Sequence, residues 1–274
     1  MIKIFVLASG RSGTKFLSDI FRYNVNNCIS RHEPLPDMFG RPIYWYFMGE
    51  TKNIKNLFLM KKNRINHYKK DIYIETNHAF LKSFCDVAME YFPDMKLIHL
   101  IRNPLLVAKS EYNKHFIHDK ILFPFQYYKG DSGGKYFRWA LTGLEDIFKA
   151  VDIDSISLYQ KYVLQWIEIE NRAMKFLNKY NKKNDCYTLF IPNDLNNHSV
   201  LQDMFRFFEL KPKRKEIIVR GRRNLNMIPT NINDEDKRQL REVVNSLPDS
   251  YLNIFQKKPY NENEWVKLLM KDIS

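Results

Sequence analysis

The sequence predicts an α/β fold with a central parallel sheet flanked by helices. Three short runs, at residues 2–8, 96–101 and 186–191, are almost entirely apolar and rich in β-branched and aromatic residues. Such runs are typical of strands that are buried on both faces. Each run is followed by a turn and by residues that favour a helix, and strands that alternate with helices indicate parallel pairing through right-handed crossovers.

The first unit consists of the strand at 2–8, the turn Ser9-Gly-Arg-Ser-Gly13 and a helix that starts near Thr14. The helix is predicted from apolar residues that recur at helical intervals, namely Phe16, Leu17, Ile20 and Phe21.

The second and third units repeat this order. After the strand at 96–101, Asn103 can cap a helix whose first residue is Pro104. After the strand at 186–191, a turn over 192–197 leads to a helix over 200–208.

The remaining segments are expected to surround this sheet within one domain that spans residues 1–274. Residues 156–180 have the apolar spacing of one long amphipathic helix. Residues 35–70 and 113–136 are rich in aromatic residues, Lys, Asn and Gly, and are interpreted as irregular surface insertions or lids. Residues 211–223 form a basic run.

Composition excludes a predominantly disordered chain and favours an anionic partner. With 45% hydrophobic and 27% charged residues among 274, the chain is not predominantly disordered. Lys and Arg exceed Asp and Glu by 44 to 31, a net charge of +13. This excess favours an anionic partner, either a nucleic acid, an acidic membrane surface or a phosphate-rich small molecule, and charge alone does not choose among them.

Cysteine spacing and hydropathy indicate a cytoplasmic protein. Cys28, Cys85 and Cys186 lie far apart, which argues against a disulfide framework and against a metal site. The apolar run at the N-terminus is too short for a secretory signal, and no stretch reaches the roughly 18 apolar residues of a membrane span.

The turn after the first strand has features of a phosphate-binding loop. Gly10 and Gly13 allow the backbone N–H groups to point inward, and the following helix N-terminus adds positive potential. The spacing is not that of a Walker A loop, which has four residues between its glycines and a Lys directly after the second. A phosphate site and an ordinary strand–helix turn are both open at this point.

A second candidate anion site follows the strand at 96–101. Arg102 is expected at the carboxyl end of this strand, where ligands of open α/β sheets bind. Ser110 follows two helical turns later, and its hydroxyl is expected on the solvent side of the helix. A guanidinium and a hydroxyl can together hold a phosphate. An Arg that pairs with a carboxylate is the alternative.

Taken together, the two segments resemble the sulfotransferase family that uses PAPS (3′-phosphoadenosine 5′-phosphosulfate). Arg11-Ser-Gly-Thr14 resembles the loop that holds the 5′-phosphosulfate, and Arg102-Asn-Pro through Ser110 resembles the segment that holds the 3′-phosphate. The likeness continues at Phe190–Leu195 and Leu201–Leu210, and more loosely at Arg220-Gly-Arg222. It therefore extends from residue 2 to about residue 223. It implies the P-loop-like architecture of this family.

The resemblance also implies the reaction. A sulfonate would pass from PAPS to a hydroxyl or amine of a small-molecule acceptor, PAP (the 3′,5′-bisphosphate) would leave, and no metal would be needed. Arg11 and Lys15 would offset the developing charge, although Lys15 stands where the family usually has a hydroxyl or small residue. The implied cofactor contacts are Arg11, Ser12, Gly13, Thr14, Lys15, Arg102, Ser110, Arg220 and Gly221.

Three residues are candidates for the general base. Glu33 lies about where some related sulfotransferases have a catalytic Glu. His78 resembles the His that cytosolic members have at a strand end, although Asn77 adds a residue to their Lys-Thr-His pattern. We rank Glu33 first, His78 second and His32 third. A cationic site is expected to hold the pKa of Glu33 low and to lower that of His78.

Two other functions, a kinase and a nucleic-acid-binding protein, would each explain part of the sequence. A nucleotide or nucleoside kinase would explain the loop after the first strand, but the Walker A spacing and a clear Mg²⁺-binding carboxylate are missing. A nucleic-acid-binding protein would explain the basic run, but a reading helix, a zinc finger and an RNP aromatic pattern are missing.

No motif encodes the acceptor. We expect a small hydroxylated metabolite, such as a bacterial natural product, and we expect aromatic residues of the two insertions to line its pocket. The oligomeric state is not predicted. The candidate pocket residues are Phe39, Tyr44, Trp45, Phe116, Phe123, Phe125 and Tyr127.

Overall fold

A five-stranded parallel sheet with the strand order β2-β3-β1-β4-β7 forms the centre of the computed structural model. The structure describes residues 1–121, 125–152, 154–219 and 230–270. The strands of the sheet are β1 (Ile2–Ala8), β2 (Cys28–His32), β3 (Ile72–Thr76), β4 (Lys96–Arg102) and β7 (Cys186–Ile191). Two further strands, β5 (Tyr127–Lys129) and β6 (Lys135–Phe137), form an antiparallel hairpin.

Helices connect the strands and cover both faces of the sheet, which confirms the predicted fold class. They are α1 (Thr14–Asn24), α2 (Arg41–Met48), α3 (Thr51–His67), α4 (Cys85–Tyr91), α5 (Pro104–Ile121), α6 (Asp146–Lys149), α7 (Leu158–Lys179), α8 (His198–Phe207), α9 (Asp234–Ser246) and α10 (Asp249–Leu252). A π-helical turn, Phe80–Phe84, precedes α4.

The central strands separate two hydrophobic cores because successive side chains of a strand point to opposite faces. Ile4, Val6 and Ala8 of β1 belong to the core that also contains apolar residues of α1 and α8. Phe5 and Leu7 belong to the larger core, which includes the fully buried Trp166 of α7 and residues of α3, α4 and α9. The near-continuous apolar runs of β1 and β4 are thus explained by burial on both faces. The expectation of burial on both faces is wrong for β7, which lies at the edge of the sheet and is mostly half-buried.

Local signals for helix ends are also confirmed. Asn103 Oδ1 accepts a hydrogen bond from the backbone N–H of Leu105, so Asn103 caps α5 directly before Pro104. Helix α7 was expected over 156–180 and is found within two residues of those bounds, with a capping box at Ser157.

The expectation that residues 35–70 and 113–136 are irregular is wrong. The first segment contains α2 and α3, and the second contains the end of α5 and the hairpin β5–β6. The buried positions of α3 are Ile54, Phe58, Lys61 and Ile65, a helical spacing in which a lysine occupies one apolar position. Lys61 can be buried there because its Nζ donates to Glu75 Oε1 at 2.7 Å.

The three cysteines, Cys28, Cys85 and Cys186, are all free thiols. Within the described part of the chain, none of the helices combines the length and the apolar character that crossing a bilayer requires.

Gly13 offers a test of the turn between β1 and α1. Its φ is +83°, and a Cβ there would lie 3.0 Å from Leu195 Cδ1. Gly49 has a similar φ of +76° but open space around its Cβ position. A left-handed conformation costs a non-glycine residue about 1–2 kcal/mol. We expect Gly49→Ala to lower the free energy of unfolding by about that amount, and Gly13→Ala by more because Leu195 must also shift.

Chemical denaturation of both variants beside the wild type measures this difference. Equal losses would show that Leu195 does not restrict the turn, and a smaller loss for Gly13→Ala would contradict the described geometry.

Candidate active site

The predicted site residues converge at the carboxyl edge of the parallel sheet. Strand β1 ends in the loop Ser9–Gly13, β2 ends at His32, and β4 ends at Arg102. Thr76, the last residue of β3, is paired in register with His32, and His78 follows two residues later. Open α/β sheets bind their ligands at this edge.

The loop Ser9–Gly13 turns the chain from β1 into the N-terminus of α1. Arg11 and Gly13 both have positive φ, at 61° and 83°, and the hydroxyls of Ser9 and Ser12 lie 2.9 Å apart. Gly13 is the N-cap residue, so no side chain caps α1, and the first turn of the helix contains no acidic residue. The first N–H groups of α1 are therefore suited to an anion.

Arg11 connects this loop to the second candidate anion site. Its Nε donates to Ser110 Oγ at 2.8 Å, and its carbonyl oxygen accepts from Nη1 of Arg102 at 2.5 Å. The two segments chosen from the sequence therefore form one cluster. The expectation that the Ser110 hydroxyl lies on the solvent side of its helix is wrong, because this face of α5 packs beneath the loop and Ser110 is 2% exposed.

Glu111, the next residue of α5, is buried against the same loop. A Cβ on Gly10 would overlap the Glu111 carboxylate and would lie 3.6 Å from Cε1 of His78. Glu111 Oε1 is buried and makes no hydrogen bond within the described residues. The close approach of Gly10 thus brings a carboxylate and an imidazole to the loop.

Glu33 lies between the two histidines that were also considered as bases. Its Oε1 is 3.4 Å from Nε2 of His78 and 3.7 Å from Nε2 of His32. Burial raises the pKa of Glu33 to about 7, against the opposing effect of Lys114. The expectation that a cationic site holds this pKa low is wrong, because the loss of solvation outweighs the nearby positive charges.

His78 is almost fully buried at the base of this group. Its Nδ1 is 3.3 Å from Lys82 Nζ, and the centre of its ring lies 4.6 Å from the centre of the Phe39 ring. Burial, followed by the charges of Lys82 and Lys114, lowers the pKa of His78 well below its ordinary value. The expected direction is confirmed, with burial as its largest cause.

His32 is held from the opposite side. Its Nδ1 lies 2.9 Å from the backbone oxygen of Thr76, and its side chain is 22% exposed. Burial lowers the pKa of His32, the hydrogen bond that Nδ1 donates to the backbone oxygen of Thr76 raises it, and the charge of Lys15 lowers it further. Lys15 is thus near enough to act on His32, and its contact with a cofactor stays a prediction.

Three charged residues of the site were missed in the sequence. Lys82 and Glu111 are buried, and the pKa of the half-buried Lys114 is lowered mainly by burial. Lys114 Nζ lies 4.4 Å from the centre of the Trp139 ring. The helical spacing from His78 to Lys82, and from Ser110 and Glu111 to Lys114, is the signal that connects them to the chosen residues.

Some predicted residues are not part of this cluster. Arg220 and Gly221, the expected second clamp, lie outside the described residues, as does Phe123 among the expected pocket residues. Phe39 contacts the cluster through His78, whereas Phe125 is 84% exposed and does not form a pocket wall. Within the described ranges, the structure contains no group of three or more His, Cys, Asp or Glu arranged to hold a metal ion.

Two solved structures of sulfotransferases match this chain. The crystal structure of a sulfotransferase from Alicyclobacillus acidocaldarius superposes with a TM-score of 0.50 and 11% identity, over 100% of this chain and 97% of the other. The sulfotransferase domain from the curacin biosynthetic pathway covers 89% of this chain and 98% of its own, with a TM-score of 0.42 and 13% identity. No curated protein sequence matches the chain.

The likeness to the Alicyclobacillus acidocaldarius structure, at 11% identity, concerns the fold alone, and the family follows from the sequence. The family model of the sulfotransferase domain matches residues 2–223, which include the loop after β1 and the segment from Arg102 to Ser110. The chain therefore belongs to the sulfotransferase domain family.

Proposed function

We propose that the protein is a PAPS-dependent sulfotransferase that acts on a hydroxyl or amine of a small-molecule acceptor in the cytoplasm, with residues 1–274 as one domain. The observation that carries this proposal is the connected cluster of Arg102, Arg11 and Ser110. It joins a phosphate-type loop to a second cationic site, and a donor with phosphate groups at both ends of its nucleoside needs two such sites.

The residues of the loop and of α5 suit this donor chemically. The uncapped N–H groups of α1 and the Arg11 guanidinium would hold the 5′-phosphosulfate together with Ser12, Gly13 and Thr14. Arg102 and Ser110 would hold the 3′-phosphate, with Arg220 and Gly221 as a second clamp. When bound, PAPS supplies the sulfonate group and the bisphosphate leaving group.

Within the chain, catalysis rests on positioning and on charge. Glu33 takes the acceptor's proton, because a base with a pKa of about 7 is matched to neutral pH. Arg11 and the loop N–H groups stabilise negative charge that develops at the loop, and Lys15 adds a further positive charge. His78 holds and orients Glu33.

The acceptor is proposed to enter beside Phe39, whose ring packs against His78. An apolar ring next to a proton-accepting carboxylate suits a hydroxylated small molecule with an apolar body, such as an intermediate of natural-product biosynthesis. Screening candidate acceptors with PAPS and detecting sulfonated products by mass spectrometry would identify it.

The cofactor assignment predicts different effects on two nucleotides. Arg102→Ala removes a charged phosphate contact, which is worth about 1.5–3 kcal/mol, or roughly 10- to 100-fold in affinity. We expect this loss for PAP but a much smaller loss for AMP, which has no 3′-phosphate. Ser110→Ala is expected to weaken PAP binding less than Arg102→Ala does.

Calorimetric titration of both nucleotides measures these affinities. Arg206→Ala, which removes one positive charge from the exposed face of α8, serves as the matched control. Unchanged affinity of Arg102→Ala for PAP would refute the 3′-phosphate site, and equal losses for PAP and AMP would show that Arg102 only supports the loop.

The general base is tested by the pH dependence of turnover. Because Glu33 accepts a proton only when ionised and its pKa is raised to about 7, we expect kcat to rise as the pH increases through about 7. Glu33→Gln should keep PAP binding and lose about 10²–10⁴-fold in kcat. Glu90→Gln, at an exposed ion pair with Lys55, is the control.

Parallel assays of His78→Ala decide between the two candidate bases. This variant should lose turnover less severely than Glu33→Gln. Near-wild-type turnover in Glu33→Gln together with an inactive His78→Ala would make His78 the base, and activity in both variants would remove this step from the mechanism.

Chelation distinguishes the sulfotransferase from a kinase. Because positive charges of the chain, including Arg11 and Lys15, occupy the role that Mg²⁺ has in kinases, we expect turnover with PAPS to survive EDTA. Turnover that is abolished by EDTA and restored by Mg²⁺ would support the kinase interpretation instead.

A further inference from the structure

Lys82 is a fully buried lysine that contacts His78, the histidine next to the proposed base Glu33. It belongs to the π-helical turn Phe80–Phe84 and follows His78 by four residues. Its Nζ donates to the backbone oxygen of Trp139 at 2.6 Å and lies 3.3 Å from Nδ1 of His78. An ammonium group has three hydrogens and no lone pair, so its contact with Nδ1 requires a lone pair on that nitrogen.

The contact with Lys82 therefore determines where the hydrogen of His78 lies. A neutral imidazole carries a single N–H, and with Nδ1 as acceptor this hydrogen is on Nε2. Nε2 is the nitrogen that faces Glu33 Oε1, at 3.4 Å. In this tautomer His78 can donate to Glu33, and its Nε2 has no lone pair with which to take a proton.

His32 is fixed in the opposite tautomer on the other side of Glu33. The backbone oxygen of Thr76 can only accept, so the 2.9 Å contact with Nδ1 of His32 requires a hydrogen on Nδ1. The lone pair of His32 is then on Nε2, which is 3.7 Å from Glu33 Oε1. Nε2 of His78 thus carries a hydrogen toward Glu33 Oε1, whereas Nε2 of His32 carries a lone pair toward the same oxygen.

We propose that Lys82 is a positioning residue that fixes His78 as the Nε2–H tautomer, so that His78 donates to Glu33 and Glu33 takes the acceptor's proton. The inference rests on the proposed function. In this step the proton moves from the acceptor's oxygen or nitrogen to a carboxylate oxygen of Glu33, and His78 neither gains nor loses one. Glu33 then releases the proton to solvent through its side chain, which is 27% exposed.

The charge states of Lys82 and His78 agree with this geometry. Burial lowers the pKa of Lys82 to about 8, so the ammonium form still predominates at pH 7. Burial and the charge of Lys82 lower the pKa of His78, so its imidazole is neutral there. The titratable and charged groups that act on this pair from the surrounding elements are Arg11, His32, Glu33, Glu111, Lys114 and Arg172.

Nitrogen-15 NMR of histidine-labelled protein reads both tautomers directly, without substrate or cofactor. At pH 7 we expect a lone pair on Nδ1 and a hydrogen on Nε2 of His78, and the reverse in His32. Signals are assigned with His78→Gln and His32→Gln. A hydrogen on Nδ1 of His78 in the wild type would overturn the proposal.

Replacement of Lys82 tests its role as the cause. Lys82→Met removes the ammonium at similar length, and we expect a mixture of tautomers at His78 while His32 is unchanged. We expect PAP affinity and the KM for PAPS to be retained and kcat to fall by about 10- to 100-fold, the range found for residues that orient a metal-ligating histidine. Lys82→Arg should restore the Nε2–H tautomer. A folded Lys82→Met with the wild-type tautomer would refute the role of Lys82.

A titration of the wild type requires no folded variant. Above a pH of about 8, Lys82 becomes an amine with a lone pair, so the Nδ1–H tautomer of His78 is also allowed. We expect the His78 signals, and not those of His32, to change over this range. An unchanged His78 tautomer at a pH where the Lys82 side-chain nitrogen signal shows the neutral amine would contradict the proposal.

The role of Lys82 and the proposed function are tested by different measurements. If the protein neither binds PAP nor transfers sulfonate, the proposed function and the role of Glu33 fall together. The effect of Lys82 on His78 is still decided by the NMR spectra of the unliganded protein.

Discussion

The fully buried carboxylate of Glu75 connects the elements that position the site. Lys61 of α3 donates to Glu75 at 2.7 Å and also to the backbone oxygen of Pro34 at 3.1 Å, while Tyr73 donates to the second carboxylate oxygen at 2.7 Å. Breaking a buried ion pair typically costs about 3–5 kcal/mol. Because Pro34 directly follows Glu33, a strong buried interaction fixes the segment that carries the proposed base.

Burial has opposite effects on the acids and bases gathered above this pair. It raises the pKa of Glu33 and lowers those of His78 and Lys82, because the charged form of each is disfavoured in the interior. The values for Glu33 and Lys82 thereby move toward neutrality from opposite sides. Perturbed groups that face one loop are typical of catalytic sites, and here the same burial that forms the core tunes them.

Strands β1 and β4 could be predicted because burial on both faces leaves a continuous apolar run, whereas the edge strand Cys28–His32 is partly exposed and has no such run. Strand β7 has an apolar run although it lies half-buried at the other edge, and the fully buried β3 is interrupted by Glu75. Helix α3 was not predicted, because Lys61 interrupts its apolar spacing and the partner that allows its burial, Glu75, lies on another element. The wrong predictions of the Ser110 orientation and of the Glu33 pKa have the same cause. Both depend on burial, which spacing along the chain does not encode.

The contact between Gly10 and Glu111 has a consequence for how this site can vary among related chains. A side chain at position 10 would occupy the space of the Glu111 carboxylate. The two positions, on β1's loop and on α5, are therefore constrained as a pair. A relative with a larger residue at the first can keep a glutamate at the second only in another rotamer, so an alignment of the family should show the two positions covarying.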